Sequence, residues 1–521
     1  MNLKIFTSNT NNSAIHLAIK DLGDKLSDKD NNIVIVPDRF SLDTEKEIYT
    51  TLGIAGSTNI DVVSFTRLAI KTIGAKIKKS LSKEGTILLL KKVIEKNAEK
   101  LCHYKAITQS PRFAKEMFIA IASLKKSGIT AEDIIASSSK MDKRTSNKFC
   151  DVALLYQEYD KELALNYSDT LTRLDTLIEE IPLNDKIKSS NVYILGYNFF
   201  DTKQLNIISS IIKWAQSCNI SVCQPKHNKA VGNLCNIETL KSIAHSIGAK
   251  TTIIEGTKVL SAPYDIICSK LFTYEKTSSK ATTKDKLQIF SEINPYDEGK
   301  AIGKEIIRLV REKKYRYKDF AIICSSDAQK SVINNIFSRY SIPNYIDMKY
   351  PIVNDIISRF LLLSIECITS NLKQKTVISL AKQPLMNLAS EDVLVFEDYC
   401  LKYNINYSFF KQPFVLGREE ERKIPEKIRT AIFAKLNFIK EGKEGFNQIS
   451  EIVLNFLEFC DIETLHQVYL ENTSLDVASV NASTQVYEKI RDVIIEGSEI
   501  LGNSPCTLKD FYSLLYSSLS N

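Results

Sequence analysis

The chain has 521 residues, too many for one ordinary domain, and this length predicts roughly three or four. Its 44% hydrophobic content, with only 17 glycines and 12 prolines, excludes a largely disordered or low-complexity protein, and no apolar run approaches the ~18 residues of a membrane span. A formal charge of +7, from 69 basic and 62 acidic side chains, is compatible with nucleic-acid binding and does not require it.

Leu3 to Ile19 reads as a short apolar strand, an Asn- and Ser-rich turn and the opening of an amphipathic helix. Ile33–Val36 and Ile60–Phe65 repeat the strand-then-helix pattern, which predicts a parallel sheet covered by helices, with ligands beyond the C-terminal strand ends. A phosphate loop would therefore fall at residues 7–14. That stretch has no glycine before Gly23 and no lysine between Lys4 and Lys20, so Thr7, Asn12 and Ser13 mark a degenerate nucleotide loop. Its Asn and Ser side chains are candidate helix caps. Val36-Pro-Asp-Arg-Phe-Ser41 and Ser64-Phe-Thr-Arg-Leu68 each set an aromatic beside an arginine at the ligand rim. Such a pair can stack on a base and neutralise a phosphate, or can pack and pair within the protein. Lys76, Lys78, Lys79 and Lys83 read first as a solvated face.

From 84 to 180 the spacing is helical, with stripes at Ile87–Leu90, Phe118–Leu124 and Leu154–Tyr159. The sheet pattern returns at Asn191-Val-Tyr-Ile-Leu-Gly-Tyr-Asn-Phe-Phe-Asp201, where a motor would carry a magnesium-binding carboxylate. Here Leu195, Gly196, Tyr197 and Asn198 occupy that end, and Asp201 reads as a helix cap. Ile220–Cys223 is a further strand. Cys218, Cys223, His227, Cys235 and His245 are spaced too loosely for a structural zinc site. Residues 250–285 read as a polar connector with a helical segment ending near Tyr274, and Thr277–Asp285 as its most linker-like part. Strands are predicted at Leu287–Phe290 and Asp319–Cys324, with helices Asp297–Glu312 and Ala328–Tyr340, and Ile342–Asp347 then leads into another strand or extended turn. Arg311, Lys313, Lys314, Arg316 and Lys318, with Tyr315 and Tyr317 interleaved, form the densest basic run. Beyond 352 the pattern is helical to Asn521, where no polar tail closes the chain, as expected of a boundary within a longer polypeptide. The first residues lack the features of a signal peptide, and eleven scattered cysteines without a C-x-x-C pair fit a reducing cytoplasm.

Several of these segments, taken in order, resemble the N-terminal half of the AddB/RexB family, the non-motor component of bacterial AddAB (RexAB) ATP-dependent helicase–nucleases. The likeness is carried by Ile35-Val-Pro-Asp-Arg-Phe-Ser41, Ser64-Phe-Thr-Arg-Leu-Ala69, and Gly196 with Tyr197, Phe199 and Phe200. It continues through Glu298-Gly-Lys-Ala301, Tyr315–Ile323 and Tyr340-Ser-Ile-Pro-Asn-Tyr-Ile-Asp347. The resemblance implies an α/β fold of RecA-like, P-loop-type parallel-sheet domains from an inactivated superfamily 1 helicase, with large helical insertions. Residues 1–83 and 181–285 would form the first such domain, 84–180 a helical insertion, 286–351 the start of a second domain and 352–521 a second helical insertion.

By the same resemblance the chain is a non-motor subunit of a complex that processes double-strand breaks for recombinational repair. It implies single-stranded, 3′-terminated DNA and a motor subunit of the AddA/RexA type as partners, scanning for the Chi sequence, and no membrane. Phe65, Thr66 and Arg67 are the expected DNA contacts, with Arg39 and Arg316 as further candidates. No cofactor is expected in this chain. The family's iron–sulfur cluster and magnesium belong to a C-terminal nuclease half not recognisable here. Two other readings stay open: a scaffold for the motor subunit that does not touch DNA, and an active helicase with an unrecognised nucleotide site.

Overall fold

Short aliphatic runs become strands where neighbours can pair with them, and the first half of the chain supplies enough such runs to build a sheet. The computed structural model describes residues 2–8, 10–26, 31–74, 78–108, 110–223, 237–256, 264, 266–267, 270–271, 287–347, 352–439, 445–473 and 477–520. Its strands are β1 (Asn2–Ser8), β2 (Asn31–Ile35), β3 (Ile60–Val63), β4 (Lys79–Ser80), β5 (Tyr167–Ser168), β6 (Ser190–Ile194), β7 (Ser217–Cys223) and β8 (Lys250–Gly256). Six of them form one sheet in the order β3-β2-β6-β7-β1-β8, with every pairing parallel. β4 and β5 make a separate two-residue ladder where the helical region leaves the sheet and returns.

The two periods of strand and helix explain how the sheet is covered. Ile33, Ile35, Val192, Ile194 and Ile220 face one buried cluster with Leu68, Ile207 and Ile211. The alternate residues Phe6, Val34, Val36 and Tyr193 face the other, with Ala18, Leu22 and Ile48. Both faces are therefore buried. The outcome is a mixed α/β fold with a parallel sheet and helical insertions, as expected. β8 corrects the reading of residues 250–285 as a polar connector: Lys250–Gly256 pairs along all seven residues with β1. It lies at the sheet edge, where Thr251, Thr252 and Glu255 are tolerated because only one side is paired. The linker read at Thr277–Asp285, Tyr274 and Lys76 lie outside the described residues.

The chain divides into two compact units. The larger comprises Met1–Leu260, Tyr264–Thr277 and Ile352–Asn521, the smaller Ser261–Pro263 and Ser278–Pro351. In the larger unit the two helical stretches share one core. Leu88, Leu90 and Tyr159 from the first lie in the same cluster as Phe360, Phe456 and Phe511 from the second. Glu496 is the polar pin of this joint: its carboxylate accepts from the Ser82 backbone N–H (2.8 Å) and from the Ser82 hydroxyl. Gly85, one turn on, leaves room for it, since a Cβ there would overlap the Glu496 carboxylate. Lys79 pairs with Glu499 beside it, and Lys489 with Glu84 at 3.3 Å.

The smaller unit forms helices Pro295–Lys313 and Asp327–Arg339, packed through Ile306, Ile333, Ile336, Phe337 and Ile342. The two strands predicted here are not formed, and of the alternatives left for Ile342–Asp347 a paired strand is not seen. Among the described residues Leu287–Phe290, Phe320–Cys324 and Ile342–Asp347 join no ladder. Ile289, Ile323 and Tyr345 are more than 90% exposed. The last two segments border a slot of about 790 Å3 lined by Phe320, Ile322, Ile333, Phe337, Ile342 and Tyr345. An apolar run without a hydrogen-bonded neighbour stays a single extended chain.

Candidate nucleic-acid interface

In a parallel sheet every strand delivers its following loop to the same edge. Three described loops meet there, after β2, β3 and β6. After β3, Ser64 is extended (φ −96°, ψ 169°) and its hydroxyl accepts from the Arg67 N–H at 3.2 Å, capping helix Phe65–Ile73. That cap fixes the fates of the next three side chains. Phe65 turns inward and is only 4% exposed, its ring 5.4 Å from that of Tyr197. Thr66 is half-buried, and Arg67 is exposed.

Arg67 sits in the first turn of its helix, where the exposed N–H groups carry partial positive charge and a cation is unfavourable. Among the described residues no carboxylate pairs with it. Arg39 is exposed in the short 3-10 turn Asp38–Phe40 that follows Pro37. Arg316 belongs to the smaller unit. Its guanidinium grips Asp319 through Nη2 (2.8 Å) and Nε (3.1 Å), and Asp319 also accepts from the Arg316 N–H. Those bonds hold the Asp319 carboxyl below its ordinary range. The structure thus groups Phe65, Thr66, Arg67 and Arg39 on one sheet edge, with Phe65 packed beneath it and Arg316 engaged in its own turn.

The connection after β1 is short: β1 ends at Ser8 and the next helix begins at Asn11, fewer residues than a glycine-rich phosphate loop spans. Thr7 lies within β1, and Asn12 and Ser13 lie in the helix's first turn. The Thr10 hydroxyl accepts from the Ser13 N–H at 3.4 Å, capping the helix from within the chain. After β6, Asp201 is a cap as its sequence suggests: it accepts from the Gln204 N–H (2.8 Å) while Gln204 Oε1 accepts from the Asp201 N–H (3.1 Å). No group of three or more His, Cys, Asp or Glu side chains among the described residues is arranged to hold a metal ion. Cys218 is buried in the sheet, its thiol pushed up to about 12 by desolvation, while His227 and Cys235 lie outside the described residues.

Sequence spacing gives no sign of a buried trio in the C-terminal helices. The Ser483 hydroxyl donates to Asp355 Oδ2 at 2.6 Å and lies 2.9 Å from His466 Nε2, and all three residues are at most 4% exposed. Serine stands between the other two, whereas a hydrolytic triad needs histidine in the middle. The hydroxyl has one proton, given to Asp355, so the imidazole donates from Nε2. The trio is a structural brace.

A family profile described as "ADDB, N-terminal" matches residues 11–246. Among curated proteins the chain is 26% identical to one from Clostridium kluyveri over 99% of this chain and 48% of that protein. It is 24% identical to one from Alkaliphilus metalliredigens (96% and 47%), and 26% identical to one from Alkaliphilus oremlandii (92% and 46%). Each of these relatives is named as a subunit of an ATP-dependent helicase/deoxyribonuclease. The N-terminal region therefore resembles the AddB family of helicase–nuclease subunits, and the chain spans about half the length of the curated relatives it matches.

Proposed function

We propose that this chain is a motor-inactive, RecA-like part of a superfamily 1-type subunit that grips single-stranded DNA in a recombinational repair complex. The observation that carries the reading is Arg67, a cation without a carboxylate partner among the described residues, held at the positive end of a helix on the ligand edge of the sheet. A phosphate backbone supplies the charge that this position lacks, and the short connection after β1, without the glycines and lysine of a phosphate loop, argues against ATP turnover. In this reading Arg67 and Thr66 hold the backbone, Phe65 sets their turn from beneath, and Arg39 and Arg316 are secondary phosphate contacts. The names and coverage of the relatives support a motor subunit of the AddA/RexA type as partner. A cytoplasmic setting and Chi scanning by the assembled complex belong to the same reading.

Single-stranded DNA binding, followed by fluorescence anisotropy at several salt concentrations without nucleotide, tests this directly. Arg67→Ala is expected to weaken binding and to lower the salt slope by about 0.7, the counterion share of one contact to a single strand. An unchanged affinity and slope would remove Arg67 from the interface. Absence of binding by the native chain, together with stable association with a motor subunit, would favour the scaffold reading.

A further inference from the structure

The sequence offers Phe65 and Phe40 for base contact, and Phe65 is buried. Phe40 is 54% exposed, and a further ring on the same edge, Phe199, is 67% exposed. They leave the sheet on the loops of β6 and β2, which are hydrogen-bonded neighbours. The two loops touch at their bases, where a Cβ on Gly196 would lie 3.7 Å from Pro37 Cδ.

The loop carrying Phe199 is fixed at both ends. Gly196, at φ +79°, donates its N–H to Ser221 Oγ (3.3 Å), and the Asp201–Gln204 capping box holds the far side. Between them Tyr197 and Phe200 pack against each other, with ring centroids 5.4 Å apart and planes tilted by 33°, and Tyr197 packs on Phe65. Phe199 lies between the packed rings of Tyr197 and Phe200 and faces solvent on a short loop held at both ends. A rigid exposed ring binds at low entropic cost, unlike one at the tip of a mobile loop.

We propose that Phe199 and Phe40 form a stacking platform for the bases of single-stranded DNA, beside the phosphate contact at Arg67. This deepens the DNA-gripping reading and rests on it. Arg67, exposed and without a carboxylate partner among the described residues, offers positive charge for a phosphate, and the neutral face of a base is the fitting occupant of an exposed ring on the same edge. Every base has a π face, so the platform is expected to be tolerant of sequence.

The test uses the whole chain and an oligo-dT probe. Phe199→Ala is expected to weaken binding roughly tenfold with the salt slope unchanged, because stacking releases no counterion. Phe40→Ala is expected to act in the same direction. The sequence has a single tryptophan, Trp214. In a Trp214→Phe background, Phe199→Trp should restore affinity, and its fluorescence should be quenched as oligo-dT is added. An abasic oligonucleotide of the same length should bind native and Phe199→Ala chains alike. Native binding that is indifferent to Phe199→Ala, or a Phe199→Trp signal unmoved by bound DNA, would overturn the platform while leaving the DNA reading intact. A native chain that fails to bind oligo-dT at low salt would overturn both.

Discussion

The sheet of the larger unit and the extended segments of the smaller one begin as the same kind of sequence. Asn191–Ile194 and Asp319–Cys324 are both short aliphatic runs followed by a helix. In the first, β6 lies between β2 and β7, and Val192, Tyr193 and Ile194 are at most 1% exposed. In the second, Ile323 is 98% exposed and no ladder forms among the described residues. The two runs differ little in propensity; they differ in partners. Strand propensity measures how well a side chain fits a pleated, half-buried surface, and it has no effect where that surface is missing. A strand is a property of a pair.

Amide hydrogen exchange is the harshest way to break this comparison. Amides of Val192–Ile194 open only with the unfolding of the sheet, whereas those of Ala321–Cys324 and Asn344–Ile346 have no ladder bond to break. Their protection factors are expected to differ by about a thousandfold or more. Comparable protection in the two regions would mean that the smaller unit is paired in solution, and its exposed segments would then have to be redrawn as strands.

The same contrast sets what could be read from the sequence. Strands β1, β2, β3, β6 and β7 were legible because each carries several aliphatic residues within a short run, and these fill the two buried clusters. β8 was not, since an edge strand with Thr251, Thr252 and Glu255 carries the composition of a loop. The cap at Asp201 was legible from its spacing. Which aromatic faces outward was not. Phe65, Phe199 and Phe200 differ in exposure through their place in a turn, and local composition does not encode that. Nor does helical periodicity say what a helix packs against, so the shared core of residues from both helical stretches had no one-dimensional signature.

That shared core offers a milder test of how partners make structure. Glu496→Ala removes both acceptors from Ser82 and leaves its N–H facing a joint built around a carboxylate. Loss of such a partly buried partner costs about 1–3 kcal/mol. The helical core should therefore unfold at lower urea and Ser82–Gly85 should become sensitive to protease, with the sheet little affected. Unaltered cleavage there would reduce Glu496 to a surface charge. Glu496→Gln, which keeps one acceptor, should fall between the two.

The smallest expected effect comes from the buried brace of Asp355, Ser483 and His466. Burial lowers the His466 pKa, and the nearby Asp355 carboxylate, which favours the charged ring, offsets only part of that. A histidine whose folded pKa lies below the unfolded value of about 6.5 takes up its proton more readily when unfolded. Its contribution is complete above that value and is lost as pH falls from about 6.5 through the folded pKa. Urea midpoints of the helical core should thus decline on acidification through this window, and His466→Gln should flatten that part of the curve while lowering stability at neutral pH. An identical acid profile in the variant would mean that carboxylates elsewhere set the decline, and that the brace holds the helices by shape and hydrogen bonding without sensing protons.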